Sequence, residues 1–172
     1  MAKATGLTKL TALSLSIAGL GGLWAYLALG PLAGIALVWV GFIAWGAYFH
    51  NGANSLSFYK TIAGFIFGSI LAGVALALVG SNPLHLDGPI GPALYIAVTV
   101  FPLVFLSTQK FLSSVPANVY GYAATAGYAL SKADVGSVTS LDLTNPVILV
   151  VIASVLGSIF GVLSNQLSAK IS

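Results

Sequence analysis

The sequence contains no cysteine, no arginine and no glutamate. Without cysteine there can be no disulfide, no thiolate nucleophile and no thiolate-bound metal. Charge of either sign is scarce: 5% of the 172 residues are charged, against about 25% in an ordinary soluble domain. So few charges cannot cover a water-facing surface, and 58% of the chain is hydrophobic. A lipid bilayer is therefore the expected solvent, and a single transmembrane domain over residues 1–172 the expected organisation. The net charge of +3 comes from scattered lysines, not from the clustered basic face that nucleic acid requires. Neither a nucleic-acid partner nor a metal or cofactor is expected.

Against this background six apolar stretches stand out, at about 9–30, 31–49, 60–80, 89–108, 115–130 and 146–166. Each approaches the roughly 17–25 residues that a spanning helix needs. The expected fold is thus an all-α integral membrane protein of six helices. The fifth stretch is the weakest, because it is short and carries Pro116, Asn118, Tyr120, Gly121, Tyr122, Thr125 and Tyr128; it reads as a full span or a partly re-entrant one. The first stretch is longer than a signal-peptide core of roughly 7–15 residues and reads as a retained helix.

The lysines give an orientation. With the amino terminus inside, Lys3, Lys9, Lys60, Lys110 and Lys170 fall on the cytoplasmic side, as the positive-inside rule requires. Lys132 falls outside, together with Asp87, Asp134 and Asp142. Both termini are then cytoplasmic. The outer loops hold His85 as well, and read as a solvated mouth or as a pH-responsive lid, histidine being the side chain that changes charge near neutrality.

The even-numbered stretches begin alike, at Gly30-Pro31, Gly88-Pro89 and Asn145-Pro146, with spacings of 58 and 57 residues. Proline suits a first helical position because its missing N–H would lack a partner there. The same offsets align Tyr48-Phe49-His50-Asn51, Leu106-Ser107-Thr108-Gln109 and Leu163-Ser164-Asn165-Gln166. The pattern suggests three helical hairpins, at about 8–50, 57–109 and 114–167, around a pseudo-threefold axis. His50 and Asn51, Thr108 and Gln109, and Asn165 and Gln166 would then form a ring of uncharged polar groups at the cytoplasmic mouth, unless they simply cap helix ends.

No charged side chain falls inside a predicted span, whereas pumps and ion-coupled transporters mark their pathways with such groups. His50 and His85 lie at opposite membrane faces, so no nucleophile–base arrangement suggests itself and an enzyme is not expected; no catalytic residue is assigned. What remains is glycine, aromatics and neutral polar groups. Gly30/Gly34, Gly64/Gly68 and Gly157/Gly161 have the small-xxx-small spacing that lets helices approach closely, and Gly121 aligns with Gly64. Trp24, Tyr26, Trp45 and Tyr48 read as interfacial anchors. Trp39, Asn118, Tyr120, Tyr122 and Tyr128 read either as core or as the lining of a narrow neutral path.

The stretches Gly22-Leu23-Trp24, Trp45-Gly46-Ala47-Tyr48-Phe49 and Leu112-Ser113-Ser114-Val115-Pro116, followed by Gly121 and Ala123-Ala124-Thr125, resemble a small bacterial inner-membrane family, domain of unknown function 1097. The resemblance covers about residues 20–130, is clearest around 115–125, and implies a topology rather than an activity. In architecture alone, three two-helix hairpins are similar to the urea and short-amide channels, although no motif transfers. Two functions follow as expectations. The first is a passive channel or facilitator for a small uncharged solute (urea, a short amide, ammonia, water or a gas), acting as a homo-oligomer in the bacterial inner membrane. The alternative is a non-transporting scaffold or accessory subunit that packs through glycine-rich faces.

Overall fold

A computed structural model of the protein describes residues 7–172; Lys3, counted above among the cytoplasmic lysines, lies outside the described residues. Six α-helices follow one another: α1 (Lys9–Leu29), α2 (Val38–His50), α3 (Ser55–Ser81), α4 (Ile90–Phe105), α5 (Val115–Ser131) and α6 (Pro146–Ile171). A 3-10 turn at Leu106–Thr108 extends α4, and a second, Gly136–Thr139, interrupts the loop before α6. Four helices start on a polar cap. The side chains of Thr8, Asn54, Ser114 and Asn145 accept from backbone N–H groups in the first turns of α1, α3, α5 and α6, which would otherwise be unpaired.

Four of the helical stretches, α1, α3, α4 with its 3-10 extension and α6, are long and apolar enough to cross a membrane. The other two are short. The 13 residues of α2 reach about 20 Å at 1.5 Å per residue, and the 17 of α5 about 26 Å. The fifth stretch is nonetheless one unbroken helix, and the second is the one that is cut back.

The shortening of α2 corrects the expected helix start at Pro31. Gly30 closes α1 with its N–H on the Tyr26 carbonyl, and residues 31–36 continue as turns, Leu32 N–H to Leu27 O and Ala36 N–H to Leu32 O. Gly34 stands at φ +83, a left-handed conformation that only glycine adopts freely and that ends any helix begun at Pro31. Of the three prolines, Pro146 opens a helix and Pro89 is an N-cap. The Gly30/Gly34 pair belongs to this turn: nothing lies within 4 Å of a Cβ built on Gly34, and one on Gly30 meets the chain's own Tyr26 carbonyl.

The helices do not pack as three equivalent hairpins. The most extensive contacts are α3 on α5 and α2 on α6, followed by α1 on α6, α3 on α6 and α3 on α4, while α1 touches α2 and α4 touches α5 only slightly. This is the pattern of two three-helix halves, α1–α3 and α4–α6, related by a pseudo-twofold that turns one half upside down. Each half's short middle helix lies parallel to the long third helix of the other. Along α3 and α5, Gly64 meets Ala117 and Gly68 meets Tyr122. Along α2 and α6, Gly157 meets Gly41 and Gly161 meets Tyr48.

The sequence carries the same equivalence. Gly64-Phe65-Ile66-Phe67-Gly68 of α3 matches Gly157-Ser158-Ile159-Phe160-Gly161 of α6, and both helices start on an asparagine cap, Asn54 and Asn145. Gly41, Ala44 and Tyr48 of α2 match Gly121, Ala124 and Tyr128 of α5. Both middle helices are followed by an alanine at φ 52, Ala53 and Ala133.

The four helices α2, α3, α5 and α6 meet at a solid centre of Val40, Ala44, Ala47, Phe65, Ala124, Val150 and Ala153. Small residues dominate because backbones cross closely here. A Cβ on Gly68 would collide with the Asn118 carbonyl, one on Gly121 with Phe65 and one on Gly157 with Gly41.

Candidate functional site

The pseudo-twofold gives the molecule two ends of the same construction, named here for Tyr48 and Tyr128. At the Tyr48 end, α2 finishes, α3 begins and α6 finishes. Between them lies a cavity of ≈ 500 Å³, lined by Phe58, Tyr59, Ile159, Val162 and Leu163 and by the polar groups of Tyr48, Asn54, Ser55, Asn165 and Gln166. The Asn165 side chain donates to the Ala53 carbonyl at 3.0 Å and to the Tyr48 hydroxyl at 3.4 Å, so one amide pins the loop 51–54 to α6. Gln166 is exposed. Every lining side chain is neutral.

The expected ring of three polar pairs does not form. Asn51 turns toward α3, its amide donating to Thr61 Oγ1 at 2.9 Å. His50, Thr108 and Gln109 are exposed and line neither this cavity nor the one at the other end. Only Asn165 and Gln166, with Tyr48, face the same space. A ring needed three equivalent hairpin ends, and the pairing of the helices supplies none.

The remaining aromatic candidates separate by burial. Trp39 is 43% exposed and points away from the interior, so it lines no path. Tyr120 is half-buried against the central cluster, and the Tyr122 hydroxyl meets Thr99 Oγ1 at 3.0 Å. Tyr128 helps line a second cavity, of ≈ 310 Å³, with Ala129, Lys132, Asp134, Ser137, Leu143 and Thr144. Trp24 and Trp45, expected at membrane interfaces, are instead 0% and 2% exposed. Trp24 Nε1 donates to the Val38 carbonyl and Trp45 Nε1 to Ser164 Oγ, each at 2.9 Å. Both indoles pack on Phe160, with ring centroids 5.5 and 5.8 Å away.

Asn118 occupies the position in α5 that corresponds to Val38 in α2. Its amide donates to the carbonyls of Leu103 (3.1 Å) and Leu112 (2.9 Å), clasping the end of α4 as Trp24 clasps the start of α2. Asn118 Oδ1, beside Gly64, and Thr125 Oγ1, two turns further along α5, are wholly buried and have no hydrogen-bond partner among the described residues. Between them Ser69 Oγ donates to the Gly121 carbonyl at 3.3 Å, the acceptor that Thr125 would use within its own helix. The seam of α3 and α5 is therefore polar, through Ser69, Asn118 and Thr125, all 0% exposed. No side chain in it is ionisable.

Charge is confined to the ends. Lys9, Lys60 and Lys170 lie on the Tyr48 side of the helices that carry them, and Lys110 joins them beside Phe111, whose ring packs edge-on to Tyr59. Lys132, Asp87, Asp134 and Asp142 lie at the Tyr128 end. The Thr144 hydroxyl and backbone N–H, with help from Ser140, hold the Asp142 carboxyl below its ordinary range.

Among the described residues no group of histidine, aspartate or glutamate could hold a metal ion. No curated protein and no solved structure matches the chain. The likeness to urea and short-amide channels rested on three hairpins, and the packing of two inverted halves removes that basis. The family model described as "Protein of unknown function (DUF1097)" matches residues 14–169, extending on both sides beyond the stretch that carried the sequence resemblance. The chain belongs to this DUF1097 family.

Proposed function

We propose that this is a six-span protein of the bacterial inner membrane that passes a small uncharged solute, with the cavity beside Tyr48 as its cytoplasmic entrance. The observation that carries the reading is that cavity: ≈ 500 Å³, bounded by aromatic and aliphatic side chains and edged by two phenols, one hydroxyl and three amides. Such a lining suits a solute that both donates and accepts hydrogen bonds, and a carboxylate or ammonium would find no counter-charge in it. Urea and short amides fit better than a dissolved gas. The lysines at this end support its cytoplasmic orientation and that of both termini. In this topology α2 and α5 cross as short helices, and the turn at 31–36 lies at membrane depth with the N–H groups of Leu32, Ala33, Ile35 and Ala36 bonded internally.

The test is solute-driven swelling of liposomes containing the purified protein, with urea, acetamide, glycerol and water compared. Uptake of urea or acetamide above that of empty vesicles is expected, and Asn165→Leu should reduce it. Permeability equal to empty vesicles for the whole panel would overturn the reading.

The second reading, a non-transporting scaffold, is favoured by the outward stripe of α4. Ile90, Leu94, Val98, Phe101 and Phe105 are all exposed, and the two phenylalanine rings stack at 5.5 Å. Mass measurement in mild detergent separates the readings: a homo-oligomer accompanies the facilitator, and a stoichiometric different subunit the scaffold.

A further inference from the structure

The two ends are built alike but are not in the same state. At the Tyr48 end the groove between the start of α3 and the last turns of α6 is open, with Asn54 and Ser55 facing Asn165 and Gln166 across the ≈ 500 Å³ cavity. The matching groove at the Tyr128 end lies between the start of α6 and the second half of α3. There Val147 takes the place of Asn54, and Ala72 and Gly73 take those of Asn165 and Gln166. This groove is shut. Gly73 lies so near Val147 that a Cβ on it would come within 2.9 Å of the valine methyl, and Ala72 and Ser69 are 0% exposed.

Two features show how it is kept shut. The loop 51–54 between α2 and α3 is short, whereas its counterpart 132–145 contains the 3-10 turn Gly136–Thr139, which packs on α3. The turn is fastened at both sides. Asp134 Oδ1 accepts from Ser137 N–H at 3.1 Å, and the Asn145 amide donates to the carbonyls of Val138 and Ser140 at 3.0 and 2.8 Å. Beneath it, Thr125 stands where α2 has Trp45. Trp45 is satisfied by Ser164, but the buried Thr125 hydroxyl has no partner. A buried hydroxyl without a partner carries a free-energy cost, which an arriving hydrogen-bonding solute or water would relieve.

We infer that the shut groove between α3 and the start of α6 is a second solute vestibule, roofed by the turn Gly136–Thr139, and that the two vestibules open alternately. Two inverted halves of one fold can exchange conformations, so the shape now seen at one end is available to the other. The inference takes from the proposed function only that a solute passes. It makes the protein an alternating carrier rather than a fixed pore.

The chain has no cysteine, so single cysteines report without background. Val162→Cys lines the open cavity and Ala72→Cys the shut groove. Each would be treated in sealed, oriented vesicles with a membrane-impermeant maleimide, without any solute. Val162→Cys should react from the lysine-bearing side. Ala72→Cys should react from the opposite side only, roughly 10–1000-fold more slowly, as a minor conformer populated at about 0.1–10% would.

Replacing residues 135–140 by a short glycine–serine link should speed labelling of Ala72→Cys, with Val162→Cys in the same background as the control for intact folding. In the double variant, a bulky maleimide already on Val162→Cys should suppress labelling of Ala72→Cys. An Ala72→Cys that stays inert in the shortened-loop protein while Val162→Cys reacts normally would overturn the second vestibule. Labelling of the two sites that is independent would overturn alternation. Because the readout needs no solute, reciprocal labelling with no urea or amide uptake would refute the proposed cargo and leave the alternation standing.

Discussion

The seams α2–α6 and α3–α5 occupy equivalent places and are sealed by different chemistry. In α2–α6, indoles fill the space: Trp45 is bonded to Ser164 and packed on Phe160, and Trp24 closes over Gly41. In α3–α5 the position of Trp45 is held by Thr125 and that of Val38, which Trp24 bonds, by Asn118, and the helices approach on Gly64, Gly68 and Gly121. Burial of large aromatic area is non-directional and tolerates small shifts. A seam of buried hydroxyls and amides is stable only in the one register that pairs them, and here two oxygens stay unpaired. One seam is closed mainly by aromatic packing; the other is a hydrogen-bonded latch with two oxygens left over.

That contrast can be broken most severely at its glycines. Gly68→Val drives a side chain into the backbone of α5, and overpacking against main chain should cost about 3 kcal/mol or more. The expected outcome is loss of a monodisperse peak in detergent chromatography. Gly46→Val, where nothing lies within 4 Å, should elute as the parent does. Next in size, Asn118→Leu abandons two carbonyls and should lower stability by about 1–3 kcal/mol, read as a fall in Tm. Trp45→Phe, which removes one hydrogen bond but keeps most of the packing, should cost only about 0.5–1.5 kcal/mol. Equal losses for the two would erase the distinction between the two seams.

Thr125→Val reverses the sign. It replaces an unpaired hydroxyl by a methyl of similar shape, so Tm should rise, by up to about 1 kcal/mol of stability, while solute uptake falls. The smallest effect is at Asp142. Its carboxyl is held below the ordinary value by Thr144, so the contribution is present above that value and lost as pH falls through the lowered one. Protease nicking of the loop 132–145 should therefore be constant from pH 8 to pH 5 and increase only under strong acid. An increase already at pH 6 would assign the change to another group.

The helix inventory was legible in the sequence because apolar length and lysine placement are averaged signals, which single residues barely disturb. The relation between the helices was not. Offsets of 58 and 57 residues align Pro31, Pro89 and Pro146, but Gly34 turns left-handed and α2 starts at Val38, which a continuous apolar run over 31–49 conceals. The true equivalence is written in Gly64-Phe65-Ile66-Phe67-Gly68 and Gly157-Ser158-Ile159-Phe160-Gly161. The longer loop before α6 shifts that pair relative to Gly41 and Gly121, so no single offset aligns both halves. Of the candidate site, Asn118, Asn165 and Gln166 could be picked out as polar groups in apolar surroundings. Trp39 could not be told from Trp45, since composition does not say which face of a helix is buried.

A body with two inverted halves looks much the same upside down, so its packing gives a membrane little to choose between the two ways of inserting it. The choice falls to the ends, where Lys9, Lys60, Lys110 and Lys170 stand at one and Asp87, Asp134, Asp142 and Lys132 at the other. On the proposed topology, direction is thus carried by a handful of side chains that take no part in holding the protein together. In the orientation proposed above, moving three or four lysines across should turn the molecule over without refolding it, and would then present its roofed groove to the cell interior.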